Sequence, residues 1–223
     1  MLRFLLTALA CLTIAWADPV LVAHRGSSSD APENTLPAFD LAWEQGANAI
    51  EGDFHLTNDG HIVCIHDGNT KRTGNRKLTV GKSSLAELQT VDVGSWKSPR
   101  WDGTRTPTLS EVLSGIPRDR FLFLEVKCEP QIVPALLTTL NSCSLTKDQV
   151  TVISFNSSVI QAYKKTAPHR PASGLCKFKK KADRTRPSYD SAFKTLSTIK
   201  SDGLGTTIVT TDRPGALRKE LNR

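Results

Sequence analysis

Past its first 17 residues the sequence has no apolar run approaching 18 residues, no C-x-x-C pair, and no glycine-rich loop of the G-x-G-x-x-G or Walker type. Each absence narrows the field. The first excludes a later transmembrane helix. The second argues against a structural zinc site. The third weighs against a nucleotide-binding open sheet. Basic residues interleaved with aromatics are also missing, as is any nucleic-acid-binding motif, so DNA and RNA are not expected partners. No internal repeat is visible. What is present is ordinary: 39% hydrophobic and 23% charged residues, with 14 Gly and 12 Pro among 223, which excludes disordered and collagen-like chains.

The first residues read as a secretory signal peptide. Met1-Leu2-Arg3 supplies a positive start, Phe4 to Ala15 is almost wholly apolar, and Ala15-Trp16-Ala17 is a small-x-small cleavage signal. The expected organisation is a signal over residues 1–17 and one domain over 18–223, exported to the periplasm or the medium. A lipoprotein signal ending at Cys11 and a buried N-terminal helix are weaker alternatives. Without Cys11, four cysteines remain: Cys64, Cys128, Cys143 and Cys176. An oxidising compartment would permit disulfides among them, but sequence cannot choose the pairing, and buried thiols are the simpler expectation. The net charge of +7 owes much to Lys177, Lys179, Lys180, Lys181, Arg184 and Arg186. Such a run is usually a solvated loop, with contact to an anionic envelope or membrane surface as the alternative.

Along the chain, short β-branched apolar runs alternate with helical spacing. Strands are expected at Val20–Ala23, Ala49–Phe54, Ile62–Ile65, Phe121–Leu124, Val150–Ile153, more weakly Ser173–Cys176, and Thr207–Val209. The turn Thr57-Asn58-Asp59-Gly60 makes the second and third a hairpin. Helices are expected at Leu36–Gln45, Leu85–Leu88, Thr108–Leu113 (with Ser110 as a cap), Ile132–Leu140, Val159–Lys165 and Ser191–Lys200. The rest of residues 69–107 is irregular, and loops that long are commonly functional. Alternation of this kind implies a parallel sheet, either a barrel or doubly wound.

Ionisable residues recur where these strands end. His24 and Arg25 follow the first strand, Glu51 and Asp53 lie in the second, His66 follows the third, and Glu125 and Lys127 close the fourth. In a (β/α)₈ barrel all such ends meet on one face. Residues i and i+2 of a strand share a side, so Glu51 pairs with Asp53 and Glu125 with Lys127. Three converging carboxylates repel unless a cation neutralises them, and hard oxygen donors favour Mg²⁺ or Ca²⁺. His24 and His66 would serve as acid and base, while Arg25 and Lys127 would meet a phosphate. That combination describes metal-assisted phosphoester cleavage. Taken singly, each element has a plainer explanation as a structural histidine, an exposed acid pair or a local ion pair. His55, His61 and His169 are expected at the surface or in loops.

These residues, with others in order, resemble the glycerophosphodiester phosphodiesterases. The matching segments are His24-Arg25-Gly26, Pro32-Glu33-Asn34-Thr35, Glu51-Gly52-Asp53, Leu56-Thr57-x-Asp59-Gly60, His66-Asp67, Pro107-Thr108-Leu109, Glu125-Val126-Lys127, Ser154-Phe155-Asn156 and Thr211-Asp212-Arg213-Pro214. The resemblance implies a TIM barrel that hydrolyses a glycerophosphodiester to an alcohol and glycerol 3-phosphate with a divalent metal. It makes His24 and His66 the acid/base pair, Glu51, Asp53 and Glu125 the metal ligands, and Arg25 and Lys127 the phosphate contacts. Glu33 and Asn34 would shape the first loop, and Asp67 would orient His66. The stretch from Asn69 to Pro107, with Trp96 and Trp101, falls where the family often covers its pocket. One departure is a β/α unit that looks absent between Gly205 and Thr206. The expected scaffold is therefore an incomplete barrel of seven barrel strands and a hairpin strand. Two alternatives stand beside it: an impaired, basic protein that binds anions through Lys177–Lys181 and Arg184, and a phospholipase D-type enzyme on the same barrel acting on lysophospholipids.

Overall fold

The computed structural model describes residues 20–175 and 208–221. The expected signal peptide, the helix at 191–200, the basic run from Lys177 to Arg186, Cys176 and the departure near Gly205 all lie outside those residues. Among the described residues, six parallel strands form one curled sheet, a half-barrel of the TIM kind. These are the six barrel strands that the sequence locates, with the hairpin strand beside them.

The first β/α unit is β1 (Val20–His24) with α1 (Leu36–Glu44), followed by the hairpin β2 (Ala49–Leu56) and β3 (Ile62–Cys64). Short helices α2 (Leu85–Leu88) and α3 (Leu109–Ser114) precede β4 (Phe121–Val126). Then come α4 (Val133–Ser142), β5 (Val150–Ser154), α5 (Ser157–Thr166) and β6 (Ala172–Gly174), and finally β7 (Ile208–Thr211) with α6 (Pro214–Leu221). The strand order is β6-β5-β4-β2-β1-β7, with β3 antiparallel to β2.

Burial on both faces explains the near-continuous apolar runs. In β4, Leu122, Leu124 and Val126 turn outward and pack with Ile50 and Phe54 against the helices, alongside Phe39, Leu136 and Tyr163. The alternate residues turn inward. Val22, Ala49, Phe123 and Ile153 form a small separate cluster on the concave side. By the two-residue period of a strand, the residues that follow them on this side are His24, Glu51, Asp53, His55, Glu125 and Lys127. Register fixes their neighbours, since His24 pairs with Glu51 across β1 and β2, and Asp53 with Glu125 across β2 and β4. The apolar cluster is the floor of the barrel, and the ionisable residues form the layers above it.

Two expectations change. The cap of α3 is Thr108 rather than Ser110: its hydroxyl accepts from the Glu111 amide while the Glu111 carboxylate accepts from the Thr108 amide, a reciprocal capping box. His55 is buried, not superficial, because β2 continues to Leu56 and keeps that position on the concave side. Burial holds its pKa below the ordinary imidazole value, and Nε2 bonds the carbonyl of His66 at 3.2 Å. His61 and His169 are exposed as expected. Cys64, Cys128 and Cys143 are free thiols among the described residues. No helix among those residues is long and apolar enough to cross a membrane.

The irregular stretch 69–107 is ordered. Val80 and Leu88 pack against Val63 and Ile65 behind β3, and Lys97 Nζ donates to the Ser28 carbonyl at 2.6 Å, tying the stretch to the loop after β1.

Candidate active site

The turn after β1 begins the site. Arg25 has φ +56°, Gly26 φ +78° and Asn34 φ +58°, so a left-handed backbone occurs three times in ten residues. Non-glycine residues there are strained and cluster at functional sites. Gly26 has no alternative, since a Cβ would stand 2.6 Å from the Ala38 carbonyl carbon. The bend presents the Arg25 amide to Glu51 Oε2 at 3.0 Å. Its side chain turns back, with Nη1 donating to Glu33 Oε1 at 3.1 Å and Nε 3.2 Å from Asp53 Oδ2.

Asn34 grips Asp53 twice. Its Nδ2 donates to Asp53 Oδ2 at 2.8 Å, and its Oδ1 accepts from the Asp53 amide at 3.0 Å. The buried Cys64 thiol donates to that same Oδ1 at 3.3 Å. The sequence assigned Asn34 only a loop-shaping part, but its side chain is a fixed bracket for one carboxylate.

Glu51, Asp53 and Glu125 each place a carboxylate oxygen within 4.8 Å of the others. Glu51 and Asp53 are 2% and 1% exposed, and Glu51 Oε1 and Asp53 Oδ1 have no hydrogen-bond partner. Buried carboxylate oxygens without donors are costly unless a cation meets them. Burial, reinforced by the Asp53 charge, pushes the Glu51 carboxyl up to about 8. Burial and Asp53 also raise Glu125, against the pull of Lys127. Lys127 Nζ lies 2.9 Å from Glu125 Oε1 and 3.5 Å from Asp53 Oδ1. Burial lowers the ammonium, but Glu125 and Asp53 outweigh it and the net shift is upward. An all-oxygen, electron-rich, underdonated triad fits a hard divalent cation.

The two expected histidines flank this triad and each rests on a carboxylate. His24 Nδ1 donates to Asp212 Oδ1 at 2.8 Å, with Nε2 3.9 Å from Glu51 Oε2. Burial lowers the imidazole, yet the Asp212 bond and the Glu51 charge prevail and hold it above its ordinary value. The His24 bond lowers Asp212, against its burial. His66 Nδ1 lies 2.7 Å from Asp67 Oδ1, and its Nε2 is 3.4 Å from Lys127 Nζ. An ammonium has only protons to offer, so this contact leaves the His66 lone pair on Nε2 and its proton on Nδ1.

All ten sequence-derived site residues therefore belong to one connected cluster: His24, Arg25, Glu33, Asn34, Glu51, Asp53, His66, Asp67, Glu125 and Lys127. Two participants had received no role. Asp212 sits at the end of β7, where the rule that polar groups follow strands would have found it. Arg72 sits in the irregular stretch, where no periodicity signals a site.

The model of the glycerophosphoryl diester phosphodiesterase family matches residues 24–215 of this chain. The chain belongs to that family. Among relatives, a glycerophosphodiester phosphodiesterase of Caldanaerobacter subterraneus subsp. tengcongensis is 38% identical over 155 residues, covering 67% of this chain and 63% of its own length. A glycerophosphodiester phosphodiesterase of Bacillus subtilis is 29% identical over 193 residues, covering 79% and 64%. This chain thus spans less than two thirds of either glycerophosphodiester phosphodiesterase. Among solved structures, an Oleispira antarctica phosphodiesterase in complex with the product sn-glycerol-3-phosphate matches with TM-score 0.77 and 28% identity, over 92% of this chain and 97% of that one. A glycerophosphodiester phosphodiesterase from Thermotoga maritima shares the fold at TM-score 0.63 and 21% identity, over 92% and 91%.

Proposed function

We propose that this chain is a divalent-cation-dependent hydrolase that cleaves a glycerophosphodiester into an alcohol and glycerol 3-phosphate. One observation carries the reading. On the concave side of the sheet, a carboxylate triad with undonated oxygens adjoins one arginine, one lysine and two histidines that are each backed by a carboxylate. The product complex of the Oleispira antarctica phosphodiesterase supports the glycerol 3-phosphate side of the reaction.

Glu51, Asp53 and Glu125 would hold the cation, which when bound supplies Lewis-acid stabilisation to the phosphoryl oxygens as charge builds on them. Arg25 and Lys127 bring positive charge to the same group, Arg25 as a planar fork and Lys127 as a point charge. His66 is the base: its Nε2 lone pair accepts the proton of the attacking oxygen, and Asp67 steadies the imidazolium that forms. His24 is the acid, because Asp212 and Glu51 favour its protonated form, and Nε2–H gives its proton to the departing alkoxide. Asn34 fixes Asp53, and Glu33 fixes Arg25.

Purified protein incubated with glycerophosphocholine, glycerophosphoethanolamine and a lysophospholipid should release glycerol 3-phosphate from the water-soluble diesters, and EDTA should stop the release. Preference for the lysophospholipid would move the assignment to a phospholipase D-type reaction. Salt-sensitive binding of anionic polymers with no turnover would move it to an anion-binding protein.

A further inference from the structure

We propose that Arg72 is a positioning residue that sets the phosphate-binding Arg25 and the base His66 in register with one another, an inference that rests on the reading of the site as a phosphodiesterase. Arg72 touches neither group directly. Its guanidinium binds two carboxylates from two separate loops. Nη1 donates to Glu33 Oε2 at 2.9 Å and Nη2 to Glu33 Oε1 at 2.7 Å, across 39 residues of sequence. Nε donates to Asp67 Oδ2 at 2.9 Å. Each carboxylate passes the constraint on. Glu33 Oε1 also accepts from Arg25 Nη1, and Asp67 Oδ1 accepts from His66 Nδ1. The chain of contacts therefore runs Arg25–Glu33–Arg72–Asp67–His66, on the opposite side of both groups from the path Arg25–Asp53–Lys127–His66 through the triad.

The backbone beneath Arg72 is built to hold it still. Thr70 is fully buried; its hydroxyl donates to the Arg76 carbonyl at 2.6 Å and accepts from the Leu78 amide at 2.9 Å. The Gly74 amide closes the turn on the Thr70 carbonyl at 2.7 Å. Charge is balanced inside the network, two guanidinium groups against two carboxylates, so Arg72 orients the groups without adding net charge. The geometry requires arginine: a lysine ammonium is a single point and cannot donate along the three directions that these oxygens occupy. Without Arg72, Glu33 has Arg25 as its remaining side-chain partner, and Asp67 is free to rotate with the His66 ring. Misplacement of reacting groups by a fraction of an ångström to an ångström lowers rates by on the order of 10–100-fold.

The test is Arg72→Gln and Arg72→Lys, with Asp67→Asn as the background for a double variant. Arg72→Gln should lower kcat through His66 and raise KM through Arg25, with kcat/KM down on the order of 10–100-fold. Arg72→Lys should not restore it. Adding Arg72→Gln to Asp67→Asn should cost much less kcat than in the wild-type background. A purely structural Arg72 would lower the melting temperature and leave kcat and KM of the folded fraction unchanged, and that result overturns the proposal; so does full additivity with Asp67→Asn. Absence of turnover in the wild-type protein counts against the phosphodiesterase reading instead. The positioning claim is then read by NMR: a slowly exchanging His66 Nδ1 proton, assigned by its loss in His66→Gln, should be present in the wild type and lost in Arg72→Gln. Its persistence in Arg72→Gln overturns the proposal.

Discussion

Cation binding at the triad should expel a proton from Glu51. With oxygens no more than 4.8 Å apart, each ionised pair among Glu51, Asp53 and Glu125 repels by at least about 3.5 kcal/mol at an effective dielectric constant near 20. Arg25 and Lys127 compensate two of the three charges, and Lys127 faces Glu125 and Asp53 rather than Glu51. Burial of the carboxyl, reinforced by the unmatched charge of Asp53, is what holds the Glu51 proton on until about pH 8. At pH 7 roughly a tenth of the molecules are then ionised at Glu51, so a divalent cation displaces close to one proton, and affinity weakens by about tenfold, or about 1.4 kcal/mol, per pH unit below 8. The upward shifts of Glu125 and His24 act in the same direction, since both leave more positive charge in the site at low pH.

Calorimetric titration of Ca²⁺ or Mg²⁺ in buffers of different ionisation enthalpy gives the proton count directly. The expected count is near one at pH 7 and near zero above pH 9, and it should vanish in Glu51→Gln along with much of the affinity. The stability of the cation-free protein runs the opposite way with pH. The unfolded chain releases this proton in the ordinary carboxylate range and the folded chain retains it to about 8, so the cation-free protein loses stability as pH rises between those values. Cation at 100 times its Kd contributes about 2.7 kcal/mol, which for a chain of this size raises the melting temperature by about 5–11 °C. A proton count near zero at pH 7, or equal affinity at pH 6 and pH 8, would refute the electrostatic account of the triad.

Other outcomes follow from the same contacts. His24→Ala and His66→Ala should each reduce kcat by about 10²–10⁴-fold while far-UV circular dichroism stays native; full activity in His66→Ala would remove it from the base role. Gly26→Ala should destabilise by at least about 1–3 kcal/mol from its left-handed backbone alone, with the clash on Ala38 adding to that, measurable by denaturant unfolding. In Glu33, burial raises the carboxyl but the Arg72 bond and the Arg25 and Arg72 charges lower it overall, and Asp67 is lowered likewise by Arg72 and His66. Their contribution is present above the ordinary carboxylate range and is lost as pH falls through the depressed folded values. Arg72→Gln should therefore flatten the acid limb of the stability profile, and an unchanged limb would count against the network.

The parts of this site that sequence made legible are those that obey a period. Glu51 and Asp53, like Glu125 and Lys127, are two residues apart on strands whose apolar neighbours identify them, so both their element and their side of it could be read. His24 and His66 follow apolar runs directly. What sequence misplaced or passed over depends on distances that no period encodes. His55 was assigned to the surface because β2 was ended at Phe54, and two more residues of strand reverse that conclusion. Arg72 lies in a stretch whose order comes from individual bonds such as Thr70 to Arg76, not from a repeating pattern. Asn34 needed its left-handed backbone to reach Asp53, and side-chain identity alone does not report φ.

Strand order explains how the six described parallel strands carry the full constellation. The functional groups come from β1, β2, β4 and β7, from the loop after β1, and from the turn following β3. In the sheet, β4, β2, β1 and β7 are consecutive neighbours. β5 and β6 extend the sheet on the β4 side without supplying a member of the cluster. The carboxylate triad needs only the β2–β4 pairing, whose register runs over six residues from Ala49–Phe121 to Phe54–Val126. The His66 side needs the hairpin, the Arg72 turn and Lys127 at the end of β4. β7, paired to β1 over four residues, reaches the site through Asp212, which accepts from His24 Nδ1 and the Ser28 hydroxyl, and through the Ser29 amide on the Asp212 carbonyl. Displacement of β7 should therefore reach the chemistry at Asp212, through its bond to His24 and its bonds to Ser28 and Ser29 in the loop after β1. It should lower the acid function before it touches cation binding at the triad or Lys127, which rest on the β2–β4 pairing.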